Sequence, residues 1–133
     1  MAGCMEEMGV TIEREDGFWS IRGQSSGLVL PRKTLDCGNS ATTANLVSAI
    51  AACMDGSIEI DGDSSLRNRD LAPMASSLRE LGCEVSSNQL PYTVSGPITK
   101  DNTNIDQALS SQTLSGIILA SPGFSEDVKI SLR

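Results

Sequence analysis

The chain has 133 residues, the size of one ordinary domain, and folding should bury about two-thirds of its surface. Apolar residues at 39% and charged residues at 20% fit neither the disordered nor the membrane class, and no apolar run is long enough to span a bilayer. A net charge of -7 argues against general nucleic-acid or membrane-surface binding, and the absence of histidine excludes Ser-His-Asp, Cys-His and His-ligated metal sites within this chain.

Met1-Ala2-Gly3-Cys4-Met5-Glu6-Glu7-Met8-Gly9 reads as a helix already under way, with no cap and no targeting region ahead of it, as expected of a chain cut from a longer protein. Gly9 ends that helix at the position where a left-handed conformation is cheap. An alternating strand through Val10-Thr11-Ile12 follows, then a turn, then a strand Phe18-Trp19-Ser20-Ile21-Arg22 closed by Gly23. Leu35-Asp36 leads into Gly38-Asn39-Ser40-Ala41-Thr42-Thr43, an apolar helix over 41–54 and a strand Ser57-Ile58-Glu59-Ile60. Asp61-Gly62-Asp63-Ser64-Ser65 is a turn and N-cap opening a helix from about Asp70 to Leu81.

The pattern then repeats. Leu78-Arg79-Glu80-Leu81-Gly82-Cys83-Glu84-Val85 and Tyr92-Thr93-Val94-Ser95-Gly96 match the opening passage, with Gly82 and Gly96 each 73 residues beyond Gly9 and Gly23. Ile105-Asp106 leads into Ser110-Ser111-Gln112-Thr113, an apolar helix to about Ala120 and a strand Val128-Lys129-Ile130-Ser131-Leu132. Two related units, at about 1–60 and 61–133, are therefore expected, each alternating strands and helices in an α/β block. Residues 41–54 and 113–120 carry no charge on any face, so those helices belong inside a core rather than on the outside of a sheet. Strands such as Ile58-Glu59-Ile60 alternate, which makes one sheet face wet and turns the other onto the buried helices.

Cys4, Cys37, Cys53 and Cys83 form no C-x-x-C pair for zinc, an iron–sulfur cluster or a redox motif, and read as buried free thiols of a cytoplasmic protein. Phe18, Trp19, Tyr92 and Phe124 are too few for a base-stacking platform. Three segments place small polar residues at helix starts, where unpaired N–H groups and the helix dipole attract an anion: Asn39-Ser40-Ala41-Thr42, Ser64-Ser65 and Ser110-Ser111-Gln112. Taken singly each reads as a plain N-cap; occurrence at matching places in the two repeats is what favours an anion site. Arg67 and Arg69 are candidate ligands for carboxylate or phosphate, or else solvated surface arginines near Asp63 and Asp70. Asp61-Gly62-Asp63 lacks the remaining ligands of a calcium loop, so no metal site is expected there.

Asp36-Cys37-Gly38-Asn39-Ser40-Ala41-Thr42-Thr43, Gly62-Asp63-Ser64-Ser65-Leu66-Arg67-Asn68-Arg69, Leu90-Pro91-Tyr92 and Ser110-Ser111-Gln112 together resemble the 5-enolpyruvylshikimate-3-phosphate synthase family, the 3-phosphoshikimate 1-carboxyvinyltransferases. The resemblance runs nearly end to end, with the motifs in family order, and corresponds to roughly a third of such an enzyme within its N-terminal domain. It implies repeated βαβαββ units with helices buried inside the sheets. It further implies transfer of the enolpyruvyl group of phosphoenolpyruvate to the 5-hydroxyl of shikimate 3-phosphate, through a tetrahedral intermediate and without a metal or organic cofactor. By the same resemblance Ser110, Ser111 and Gln112 bind shikimate 3-phosphate, Gln112 also reaches phosphoenolpyruvate, Arg69 holds phosphoenolpyruvate, and Asn39, Ala41 and Thr42 form the wall behind it.

Ala41 stands where the family usually has Gly, which implies a narrower phosphoenolpyruvate pocket and weak inhibition by glyphosate. Asn45 stands at a frequent Arg, and Asp70 at the Pro that follows Arg69. The family's N-terminal Lys-Ser and Arg ligands and its C-terminal Asp, Glu, Lys, His and Arg have no counterpart here, so the missing remainder is an expected partner and the isolated chain should be inactive. Two alternatives stay open. One is the sister enzyme that transfers enolpyruvyl to UDP-N-acetylglucosamine, whose cysteine-bearing catalytic loop has no counterpart in this chain. The other is a non-catalytic module of the same fold that binds a phosphorylated small molecule or a protein partner.

Overall fold

The computed structural model of the chain describes residues 1–106 and 111–132. Helix α1 (Ala2–Glu7) is followed by an antiparallel hairpin of β1 (Thr11–Glu15) and β2 (Phe18–Arg22), in register from Thr11↔Arg22 to Glu15↔Phe18. Among the described residues the hairpin pairs with no other strand, and nearly all of it is exposed. Arg14 ties it to α1 by a two-point ion pair with Glu6, 2.8 Å at each nitrogen, and lies 5.0 Å above the Trp19 ring.

The remaining strands form two sheets. Strands β3 (Leu35–Asp36), β4 (Gly56–Asp61), β5 (Glu84–Val85) and β6 (Tyr92–Gly96) make a four-stranded sheet in the order β3-β4-β6-β5. Its β3–β4 pair is parallel and the other two are antiparallel. Strand β7 (Asn102–Ile105) pairs in parallel with β8 (Lys129–Leu132). Each parallel pair needs a crossover, and each crossover is a helix: α2 (Ala41–Ala51) between β3 and β4, α5 (Ser111–Ala120) between β7 and β8. Between these blocks lie α3 (Ser64–Arg67) and α4 (Ala72–Glu80). The architecture is α/β.

Charge-free sequence puts α2 inside. Thr43, Ala44, Asn45, Val47, Ser48, Ala49 and Ala51 are all buried. On one side α2 covers the four-stranded sheet, where Ile58 and Ile60 face inward and Glu59 faces water, so the expected alternation holds. There the Ser48 hydroxyl lies 2.7 Å from the buried Tyr92 hydroxyl and donates to Ala44 O at 2.6 Å. On its other side α2 packs against α5, with Gly116 at the crossing. A β-carbon there would lie 3.3 Å from Asn45 O and 2.9 Å from Met74 Cε. The expected arrangement of helices within sheets is therefore present. The outer side of α5 leaves Ile118 and Leu119 exposed.

The matched glycines end their helices identically. At Gly9 (φ +94°) the Gly9 and Val10 amides donate to Glu6 O and Met5 O. At Gly82 (φ +90°) the Gly82 and Cys83 amides donate to Arg79 O and Leu78 O, all four bonds being 3.0 Å. Both are Schellman motifs, in which the residue after the cap must be left-handed. The element order helix, two strands, strand, helix, strand occurs twice along the chain.

Several expected boundaries shift. The helix foreseen over 41–54 ends at Ala51. The helix foreseen from about Asp70 to Leu81 is α4, Ala72–Glu80, and its Ala72 amide donates to Asp70 Oδ1 at 2.9 Å; the single turn α3 that Asp63 caps ahead of it was not foreseen. Pro73 in the first turn of α4 suits a helix start, where its missing N–H costs nothing. All four cysteines are free thiols, with Cys4, Cys37 and Cys83 buried and Cys53 half-buried. Among the described residues no helix is long and apolar enough to cross a membrane.

Candidate functional site

Strand β3 delivers the chain into the loop ahead of α2, and β4 delivers it into the loop ahead of α3. Because the two strands are parallel neighbours, these loops emerge side by side. Cys37 N donates to Asp61 O at 2.8 Å, Asp63 N donates to Gly38 O at 2.9 Å, and Gly38 N donates to Asp36 Oδ1 at 2.8 Å. The approach requires glycine at position 62, where a β-carbon would stand 2.6 Å from Gly38 O.

Asp63 locks the junction. One carboxylate oxygen accepts from Leu66 N at 2.8 Å and caps α3, while the other accepts from Asn39 Nδ2 at 2.9 Å. The Leu66 amide first, and Asn39 second, hold the Asp63 carboxyl below the usual carboxylate range. The helix start at Ser64-Ser65 is consequently no anion site: it is one turn long, and a carboxylate already occupies it. This corrects the expectation drawn from its small polar residues.

At the start of α2, Ser40 is the N-cap, its Oγ accepting from Thr43 N at 3.0 Å. Ala44 N is taken by Ser40 O, which leaves the Ala41 and Thr42 amides at the open end of the helix. The side chains of Thr42 and Gln112 meet across the α2–α5 contact, Gln112 Nε2 donating to Thr42 Oγ1 at 3.0 Å. Asn45 completes the group from the buried side, donating through Nδ2 to Gln112 Oε1 at 3.2 Å and to Ala41 O at 2.9 Å. Ser111 opens α5 and is exposed; Ser110 lies outside the described residues.

The two arginines separate cleanly. Arg67 grips Asp61 with two contacts, Nε to Oδ1 at 2.9 Å and Nη2 to Oδ2 at 2.6 Å. Arg69 is exposed, and its guanidinium has no hydrogen-bond or ion-pair partner among the described residues. Its neighbour Asp70 accepts from the Ala72 amide at the start of α4. Arg67 is thus a structural cation, and Arg69 is the one of the two left open to a ligand. Asp61 and Asp63 are both committed to protein donors, so the Asp61-Gly62-Asp63 turn is a structural joint.

The structure therefore joins Thr42 to Gln112 directly and Ala41 to Gln112 through Asn45, and it ties Asn39 to Asp63, the cap of α3, ahead of Arg69. Open amides, a hydroxyl, a carboxamide and a free guanidinium are hydrogen-bond donors, a set suited to an anion. Asn45 is the member that motif reading did not place among the ligands. Its signal was positional, one helical turn beyond Ala41 on the same face.

Solved structures of the same architecture place the fold first. The chain superimposes on EPSP synthase from Acinetobacter baumannii with a TM-score of 0.77 and 30% identity, over 86% of this chain and 27% of that one. The fold class is thus that of the enolpyruvyl transferases. The family profile described as EPSP synthase (3-phosphoshikimate 1-carboxyvinyltransferase) matches residues 1–133. The chain belongs to the EPSP synthase family.

Curated relatives named 3-phosphoshikimate 1-carboxyvinyltransferase agree. That of Methanocorpusculum labreanum is 32% identical over 132 residues, 97% of this chain and 31% of the relative. That of Rhizobium etli is 34% identical over 136 residues, 99% of this chain and 32% of the relative. The chain therefore spans about a third of the length of the relatives it matches.

Proposed function

We propose that this chain supplies part of the substrate site of an enzyme that transfers enolpyruvyl from phosphoenolpyruvate to the 5-hydroxyl of shikimate 3-phosphate in the cytoplasm. The observation that carries the reading is the joined donor set of Thr42, Gln112 and the α2 start, together with an exposed Arg69 that has no ion-pair partner among the described residues. Both substrates are polyanions, and donors fixed before binding stabilise such charge without reorganising. In this reading Ser110, Ser111 and Gln112 hold shikimate 3-phosphate, with Gln112 also reaching phosphoenolpyruvate. Arg69 grips phosphoenolpyruvate, and Asn39, Ala41 and Thr42 form the wall behind it. No metal or organic cofactor enters, and neither nucleic acid nor membrane is a partner.

We read residues 1–60 and 61–133 as two related units, supported by their matched Schellman motifs and element order. Four free thiols favour a reducing compartment. Groups for proton transfer come from the remainder of the enzyme, so the isolated chain binds without turnover. The test is a chemical-shift titration of the ¹⁵N-labelled chain with shikimate 3-phosphate. Shifts centred on Ser111, Gln112 and the α2 start are expected. Shifts elsewhere, or turnover of both substrates by the isolated chain, would overturn the assignment.

A further inference from the structure

Resting on the reading above, we propose that Asn45 is a positioning residue that fixes which end of the Gln112 carboxamide faces the ligand, and so makes this wall a donor surface for a phosphorylated anion. Asn45 is only 5% exposed, whereas Thr42 and Gln112 are exposed. The orientation follows from a chain of donors and acceptors that begins at a group with no choice. Ala41 O is a carbonyl and can only accept, so the side-chain end of Asn45 that lies 2.9 Å from it must be the amino group. That same amino group lies 3.2 Å from the carboxamide of Gln112, which must therefore turn its oxygen inward.

The rest is forced. With Oε1 held inward, Gln112 Nε2 lies outward, 3.0 Å from Thr42 Oγ1. One Nε2 proton goes to Thr42 and the other is left over. Thr42 Oγ1, having accepted, keeps its own proton to donate. Gln112 and Thr42 thus present two donors to the exposed side, against one remaining lone pair on Thr42 Oγ1.

An acceptor at position 45 would reverse this polarity without altering shape. In Asn45→Asp the carboxylate loses the bond to Ala41 O, attracts Gln112 Nε2 and expels Oε1. Gln112 Oε1 would then accept from the Thr42 hydroxyl, so one donor is consumed and a lone pair faces the anion. Asn45→Ala removes both bonds and frees the carboxamide to turn either way.

The experiment has a ligand-free arm and a ligand arm. In the ¹⁵N-labelled chain the Gln112 side-chain amide protons should show cross-relaxation to the Thr42 methyl group. That signal should vanish in Asn45→Asp and weaken in Asn45→Ala, with the dispersion of the β4 and β6 backbone amides retained. Affinity for shikimate 3-phosphate should fall about tenfold or more in Asn45→Asp and less in Asn45→Ala. Persistence of the Gln112–Thr42 signal in Asn45→Asp overturns the positioning role. Loss of that signal with unchanged affinity overturns the link to anion binding. Inorganic phosphate serves as the second probe: a Gln112 shift with phosphate but none with shikimate 3-phosphate removes the proposed function and leaves the donor wall standing, and no shift with either removes both.

Discussion

Two arginines two residues apart have different fates because of one carboxylate. Asp61, at the end of β4, meets Arg67 with both oxygens, so the charge of that guanidinium is already paired. Arg69 has no such partner among the described residues. In the complete enzyme Arg69→Ala should lower kcat/KM for phosphoenolpyruvate at least about tenfold, since a charge-assisted contact to a desolvated anion is removed. Arg67→Ala should leave kcat/KM within about twofold, because an exposed ion pair contributes little. Steady-state kinetics of both variants decide it: equal losses would return Arg69 to the surface. The spacing of Ser65-Leu66-Arg67-Asn68-Arg69 could not make this distinction, since the deciding group, Asp61, precedes α3 and enters only through the three-dimensional turn. The acid side of Asp63 follows similar logic. Its folded pKa is depressed, so the stabilisation it provides is present above the unfolded carboxylate range and is lost as pH falls through the folded value.

At the scale of elements, the α2–α5 crossing decides whether Thr42 and Gln112 meet at all. Gly116 permits the approach. Gly116→Ala should change stability by less than about 1 kcal/mol, because a methyl 3.3 Å from Asn45 O is offset by better helix propensity and Met74 can swing away. Gly116→Val should cost about 2 kcal/mol or more, since the branched side chain has only backbone to meet on one side. Urea unfolding of both variants checks the pair, and comparable midpoints would show the crossing to be loose. How far the elements were legible depends on the kind of signal. The charge-free α2, the alternation of Ile58, Glu59 and Ile60, and the matched Gly9 and Gly82 are local, and each appears where the pattern put it; α5, equally free of charge, is buried on one side only and leaves Ile118 and Leu119 exposed. The helix from about Asp70 to Leu81 was legible and is α4, whereas the single turn α3 was not, because an Asp before two serines reads as a turn until its carboxylate is seen to cap Leu66 N. Asn45 was legible as a departure from the family pattern but not in its role, which exists only where α5 crosses α2.

For the molecule as a whole, buried hydroxyl and thiol groups set the alkaline limit. Burial raises the Tyr92 hydroxyl to about 12, against a smaller opposing effect of its bond to Ser48. Burial likewise raises Cys53 and Cys83 to about 11. A raised folded pKa means stabilisation fully present below the unfolded value and lost as pH climbs through the folded one. For Tyr92 that window runs from about pH 10 to about 12 and involves roughly 3 kcal/mol. Thermal melts should fall steeply across it, and Tyr92→Phe should flatten part of that fall after lowering stability modestly at neutral pH. An equally steep fall in Tyr92→Phe would assign the limit to the thiols.

The β1–β2 hairpin has a different consequence. Its backbone bonds join only its own two strands, and Arg14 holds it to α1 by solvent-facing contacts. A lone two-stranded ribbon is marginal in water, so it can open without disturbing the sheet on which α2 rests. In deuterated solvent its Ile12 and Trp19 amides should exchange orders of magnitude sooner than those of Ile58 and Val94, whose release requires the core itself to come apart. The chain should therefore have two tiers of opening, the hairpin first and the sheet under α2 last.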